Sequence, residues 1–139
     1  MSGERDLRRL TTGLAPRMRD QLYVYCTFAA PSLPPGLTPV CTFVEDEGLA
    51  AIVEKQQAEA IGVPFELESR MITLTVHSSL EAVGFLAAVS GRLALADIPC
   101  NVVSAYHHDH LFIPKHLADR AMHVLADLGL DSSERPALN

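Results

Sequence analysis

Between residues 71 and 128 the apolar period switches from two to that of a helix, back to two, and to a helix again. This alternation constrains the fold more than any other feature of the chain. Over residues 71–77, Ile72, Leu74 and Val76 face one way while Met71, Thr73, Thr75 and His77 face the other, the pattern of a half-buried strand. Ser78 or Ser79 can cap a following helix, and Glu81, three residues after Ser78, fits a capping box. Ala82, Leu86, Val89, Leu93 and Ala96 recur at helical spacing and predict a helix over 79–96 with a core-facing stripe. Its other faces carry Val83, Phe85, Ala87, Ala88 and Gly91, so the helix is expected to be covered on more than one side. Residues 100–107 read as a strand, His108-Asp109 as a tight turn, and 110–113 as the antiparallel return. Pro114 opens a last helix over 115–128 with Leu117, Ala121, Val124 and Leu128 on its buried side, and Gly129 suits its end. The order β-α-β-β-α lacks only the final strand of a ferredoxin-like unit.

The first half supplies candidates for that strand. Residues 6–14 form a short amphipathic segment closed by Pro16, and residues 22–28, rich in aromatic and β-branched side chains, read as a strand. Pro31, Pro34, Pro35, Gly36 and Pro39 make a loop, and residues 40–44 a second strand. Glu45, Asp46 and Glu47 then read as the acidic first turn of a helix over 48–60, ended by Gly62 and Pro64, with a short edge strand at 65–67. The fold expected is α+β, an antiparallel sheet with helices on one side. It divides into an N-terminal lobe over 1–68, a C-terminal unit over 69–129 and a loose tail over 130–139. A strand such as 22–28 completes the second sheet, so the lobes are not separable.

Composition narrows the function classes. Seventeen acidic against eleven basic residues give a net charge of −6, which repels phosphate backbones, and with 6% aromatic residues and no Trp there is no base-stacking platform. No apolar run approaches the roughly 20 residues that span a bilayer, and the first residues lack the apolar core of a secretory signal, so a cytoplasmic location without membrane contact is expected. Cys26, Cys41 and Cys100 are unpaired in pattern and read as reduced thiols; a nucleophile at Cys100 would need a cationic neighbour that the adjacent sequence does not offer.

The segments Ile72-Thr-Leu-Thr-Val-His-Ser-Ser-Leu-Glu-Ala-Val-Gly84, Ala96-Asp-Ile-Pro-Cys-Asn-Val-Val103, Tyr106-His-His-Asp-His110 and Leu111-Phe-Ile-Pro114 together resemble an ACT domain. With Tyr23-Val-Tyr-Cys-Thr-Phe28 and Thr42-Phe-Val-Glu-Asp-Glu-Gly-Leu49, the chain is similar to small bacterial stand-alone proteins with two ACT-like units, over about residues 5 to 129. Aspartokinase regulatory domains and CASTOR-type amino-acid sensors are similar relatives. The resemblance implies a non-catalytic module that binds an amino acid and pairs side by side as a homodimer, with no cofactor. Many ACT domains place an Asp-x-Pro-Gly-like turn after the first strand, where this chain has His77-Ser78-Ser79-Leu80.

The candidate ligand residues are therefore His77, Ser78, Ser79 and Leu80, with Asn101 and Val102 on the next strand. Backbone N–H groups at a helix start suit a carboxylate, and Asn101 could accept from an ammonium group. The same serines are also explained as plain helix caps. Glu45, Glu47 and Gly48 are secondary candidates for a cationic group, and His107 for a pH-sensitive contact. His107, His108 and His110 lack the spacing of a metal site, and no metal is expected.

Overall fold

The structure, a computed structural model, describes residues 3–76 and 79–134. Its elements run α1 (Leu7–Thr12), β1 (Pro16–Phe28), β2 (Cys41–Glu45), β3 (Gly48–Glu54), α2 (Lys55–Ile61), β4 (Glu66–Leu74), α3 (Phe85–Leu95), β5 (Asn101–Ser104), β6 (Asp109–Pro114), a single 3-10 turn at Lys115–Leu117, and α4 (Ala118–Glu134). One antiparallel sheet carries all six strands in the order β2-β3-β1-β4-β6-β5.

That order resolves into two interlocked ferredoxin-like units. The first uses β1, β2, β3 and α2, and takes β4 as its fourth strand. The second uses β4, α3, β5, β6 and α4, and takes β1 as its fourth strand. The expected completion of the second unit by residues 22–28 holds, with Leu22 opposite Arg70 and Tyr23 opposite Ser69. Pairing extends further back, Pro16 to Leu74, than residues 22–28 alone. The segment 65–67 is no edge strand: it leads into β4, at the centre of the sheet.

The helices cover one face, as expected for the side bearing Ile72 and Leu74. These two pack with Leu111, Ile113, Phe85, Val89, Leu93, Ala121, Leu125 and Leu10. A smaller cluster of Val24, Cys26, Ala51, Val53 and Ala58 lies under α2, sealed by Leu33 and Leu37 of the Pro-rich loop. The opposite face has its own cluster of Tyr23, Ile52, Met71 and Phe112. There Phe112 meets Tyr23 and Tyr25 edge to face, at centroid distances of 6.0 and 5.9 Å.

Four readings are corrected. The segment 48–60 is not one helix: Glu45–Glu47 lead round a hairpin into β3, and only Lys55–Ile61 is helical. The physical reason is Gly48, whose φ of 150° closes the turn and whose Cα lies so near the Phe28 carbonyl that a Cβ would come within 2.3 Å of it. Helix α3 begins at Phe85, not at 79. Gly84 is its N-cap with φ 90°, a left-handed conformation that no helix interior adopts. The later start buries Phe85 with Val89 and Leu93, while Leu86 is only half-buried. In α4 the buried residues include Leu125 rather than Val124, and the helix runs to Glu134, into the stretch read as a loose tail. The β5–β6 turn falls at 105–108, where the Ala105 N–H donates to the His108 carbonyl at 3.0 Å, instead of at His108-Asp109.

Among the described residues no helix is long and apolar enough to cross a membrane.

Candidate functional site

The segment from Thr75 to Gly84 leaves the end of β4 and crosses to the start of α3. His77 and Ser78 lie outside the described residues. Ser79 is buried, and its role differs from a helix cap. Its N–H donates to the Glu4 carbonyl at 2.8 Å, its Oγ accepts from the Glu81 N–H at 3.1 Å, and its carbonyl accepts from the Ala82 N–H at 3.0 Å. Ser79 thus organises a turn upstream of the helix and ties the N-terminal segment to it. Glu4 in turn accepts from the Arg5 and Asp6 N–H groups, and Asp6 accepts from the Arg9 N–H, which starts α1 over the core. Leu80 stands exposed beside Val83, which is 84% exposed. The N-cap of α3 is Gly84, which has no side chain to accept from the first turn, and the N–H groups there form the positive end of the helix dipole.

The structure does not bring Asn101 to this turn within one chain. Asn101 pairs with Phe112, and Phe112 with Met71, three residues before the end of β4. At about 3.3 Å per residue this places Asn101 roughly 10 Å back along the strand. Its side chain shares the helix-free face with Phe112, whereas Val102 packs into the helix-side core. His107 is closer in level, at the exposed tip of the β5–β6 hairpin, with its ring 4.8 Å from that of Tyr106. Glu45, Glu47 and Gly48 sit on the β2–β3 hairpin, beside the opposite edge of the sheet, with both carboxylates exposed.

Two features escaped the sequence reading. The outer face of α3 is open: Leu95 is 85% exposed, and Ala87, Ala88, Gly91 and Leu128 line a shallow apolar pocket. Glu68 holds Lys55 at 2.5 Å and Lys115 as well, clamping the starts of α2 and α4 together. These hydrogen bonds draw the Glu68 carboxyl down to about 2. Nothing in the local sequence marked the clamp; Glu68 follows a bulge in β4, where Leu67 takes φ 58° opposite a register shift in β1.

Cys26 and Cys100 sit in settings that disfavour a thiolate. Burial pushes the Cys100 thiol up to about 11 and raises Cys26, so neither offers a thiolate near neutral pH. Among the described residues no group of three or more His, Cys, Asp or Glu is placed to hold a metal ion.

Two family models match the chain, both described as ACT domain, over residues 2–70 and 66–127. The chain belongs to the ACT-domain family. The two matches overlap only at 66–70, inside β4, the strand that both units use. This ACT-domain protein is similar to a Vibrio cholerae protein of unknown function, described as a possible transport protein. Identity is 36%, coverage is 92% of this chain and 99% of that one, and the TM-score is 0.79. It is also similar to an Agrobacterium tumefaciens protein at 17% identity, over 84% of this chain and 89% of that one, with a TM-score of 0.73. The ligand-free regulatory subunit of aspartate kinase from Thermus thermophilus shares the fold at 11% identity, over 81% of this chain and 95% of that one, with a TM-score of 0.60. Among curated proteins none matches significantly.

Proposed function

We propose that this ACT-domain protein is a non-catalytic, cytoplasmic regulatory module that binds an amino acid at the turn before α3, between two copies of the chain. The observation that carries the reading is the glycine N-cap of α3, Gly84, opening at a surface where Leu80 and Val83 are exposed. An uncapped helix start attracts a carboxylate, and exposed apolar side chains beside it supply contacts for a ligand side chain. The shared fold with an aspartate kinase regulatory subunit favours regulation over catalysis. A second copy completes the geometry. If two β5 edges pair antiparallel, Asn101 of the second copy lies opposite Ser104 of the first, at the level of the turn that its own Asn101 does not reach. In this proposal residues 69–129 form the ligand-binding unit and residues 1–68 its lobe partner.

Calorimetry of the intact chain against the standard amino acids tests this. Binding of one of them is expected, with Asn101→Ala weakening it about ten-fold while the melting point of the free protein stays nearly unchanged. Light scattering is expected to give a dimer. A specific observation favours a second reading, a ligand-free interaction module: the Ser79 N–H that a carboxylate would take is already used by Glu4. Absence of heat from every amino acid at millimolar concentration, with the dimer intact, selects that reading.

A further inference from the structure

The helix-free face of the sheet holds a group of cations that the turn before α3 does not use. Arg17, Thr73 and His110 stand side by side on β1, β4 and β6, since Arg17 pairs with Thr73 and Thr73 with His110. Directly paired residues point the same way, and Thr73 faces away from the core that holds Ile72 and Leu74, so all three are on the open side. Just beyond them β1 bulges: Arg19, Asp20 and Gln21 face the single residue Met71, because Met18 pairs with Ile72 and Leu22 with Arg70. A bulge turns a side chain out of the regular alternation. Here Arg19 is carried over the same face, where its Nη1 donates to the hydroxyl of the buried Tyr23 at 3.2 Å.

Among the described residues neither Arg17 nor Arg19 makes an ion pair. Asp20 points instead to Arg70, at 3.8 Å. His110 uses Nδ1 on the Thr73 hydroxyl at 2.9 Å, which leaves Nε2 for another partner. The groups facing His110 are cationic or ionisable to cations on most sides: Arg19 from β1 and His108 from the hairpin, with Asp109 opposing them on its own strand. Burial, then His108, then Arg19, lowers its tendency to protonate, with Asp109 opposing them. In a chain of net charge −6, two unpaired arginines and a histidine on one sheet face are a local exception that attracts a compact anion without making the whole surface basic.

We propose that Arg17, Arg19 and His110, on the floor of Thr73 and Tyr23, form a binding site for a small, multiply charged oxyanion, phosphate or a polycarboxylate. The guanidinium groups supply paired N–H donors to two oxygens, and His110 donates from Nε2 once the imidazole carries a proton there. Binding therefore tightens as pH falls through the His110 titration. This surface is distinct from the turn before α3 and does not rest on the amino-acid reading.

The test titrates the intact chain with inorganic phosphate and, separately, with citrate, following the His110 ring by NMR with Nε2 and Nδ1 assigned through H110Q. Phosphate or citrate is expected to bind at millimolar concentration or better and to raise the pH midpoint of His110. R19Q is expected to weaken binding about ten-fold and R17Q by a similar or smaller factor. R120Q, which removes an equal charge from the exposed surface of α4, is expected to leave binding unchanged. Phosphate alone identifies a phosphoryl ligand, citrate alone a carboxylate ligand, and both support the site. The proposal is overturned if neither anion moves His110, or if R120Q costs as much as R19Q. Among the described residues Arg17 makes no ion pair, so R17Q keeps the test decisive even if R19Q disturbs folding.

Discussion

The two ACT units share their central strands yet are built unequally. The second packs α3 and α4 on its sheet, with α1 laid across, and buries large residues such as Phe85, Leu93, Leu111 and Leu125. The first has a Pro-rich loop where its counterpart has α3, a single seven-residue helix, and a core of Val, Ala and Cys side chains. A unit with so small a core does not supply enough buried area to stand alone. It is held because β1 and β4 each serve both halves, and because Glu68 ties the start of α2 to the start of α4. Sharing central strands lets a weak unit borrow the cooperativity of a strong one.

The largest expected effect breaks that comparison directly. Leu111→Ala, at a fully buried site of the larger core, should cost about 2–5 kcal/mol. Val24→Ala, fully buried in the smaller core, should cost on the order of 2 kcal/mol. Both should lower the midpoint of one common transition in denaturant, read by circular dichroism and by tyrosine fluorescence. A separate early transition in Val24→Ala would show that the first unit melts alone and that the shared strands do not couple the halves.

Next comes Gly48→Ala. The new methyl would meet the Phe28 carbonyl at 2.3 Å, and the backbone there takes φ 150°. A loss of about 2 kcal/mol or more is expected from thermal melts. A near-neutral result would mean that the β2–β3 hairpin is free to shift, loosening the first unit further than its core already implies.

The same hairpin shows where the sequence could be read and where it could not. The alternation around Ile72 and Leu74 fixed a strand and its buried face because period two has one structural meaning when both faces differ in polarity, although the strand ends at Leu74 and not at 77. The run Gly48-Leu-Ala-Ala-Ile-Val53 has no such contrast, since β3 lies inside the sheet and is apolar on both sides. Periodicity cannot distinguish that from a helix; Gly48 after three acidic residues was the turn signal. At Ser78, Ser79 and Glu81 the capping-box pattern was present, but Ser79 is engaged by Glu4, far away in sequence, and Gly84 sets the true helix start. Long-range hydrogen bonds of this kind leave no local trace. Of the candidate site, the turn itself was legible as a segment, while the distance from Asn101 to it follows from strand register that no single-chain pattern encodes.

Glu68 sharpens the comparison through pH. Its carboxyl is drawn from 4.5 to about 2 by Lys115 and Lys55, so the folded state binds its proton less readily than the unfolded chain. The resulting stability is fully present above about pH 4.5 and is lost as pH falls toward 2. Glu68→Gln should therefore melt lower than the parent at neutral pH and show a flatter loss of stability between those values. Equal acid limbs in the two proteins would mean that the clamp contributes nothing to holding the units together.

The smallest effects separate two residues that take left-handed backbone without being glycine. Asp97 follows the end of α3 with φ 59°, where Ile98 N–H returns to the Leu93 carbonyl at 3.0 Å and closes the helix. It is exposed, and among the described residues its side chain makes no hydrogen bond or ion pair. Asp97→Gly relieves the strain and loses no packing, so a gain of about 0.5 kcal/mol is expected. Leu67 takes φ 58° in the bulge of β4 and is half-buried. Glycine there relieves about 1–2 kcal/mol of strain but removes a side chain whose partial burial is worth a similar amount. Leu67→Gly should accordingly leave stability nearly unchanged, and it should keep the register that aims Glu68 at the two lysines. If Leu67→Gly instead lowered the melting point and gave the same flattened acid limb as Glu68→Gln, then the leucine side chain, not the bulge geometry, would be what holds the carboxylate in the clamp between the two units.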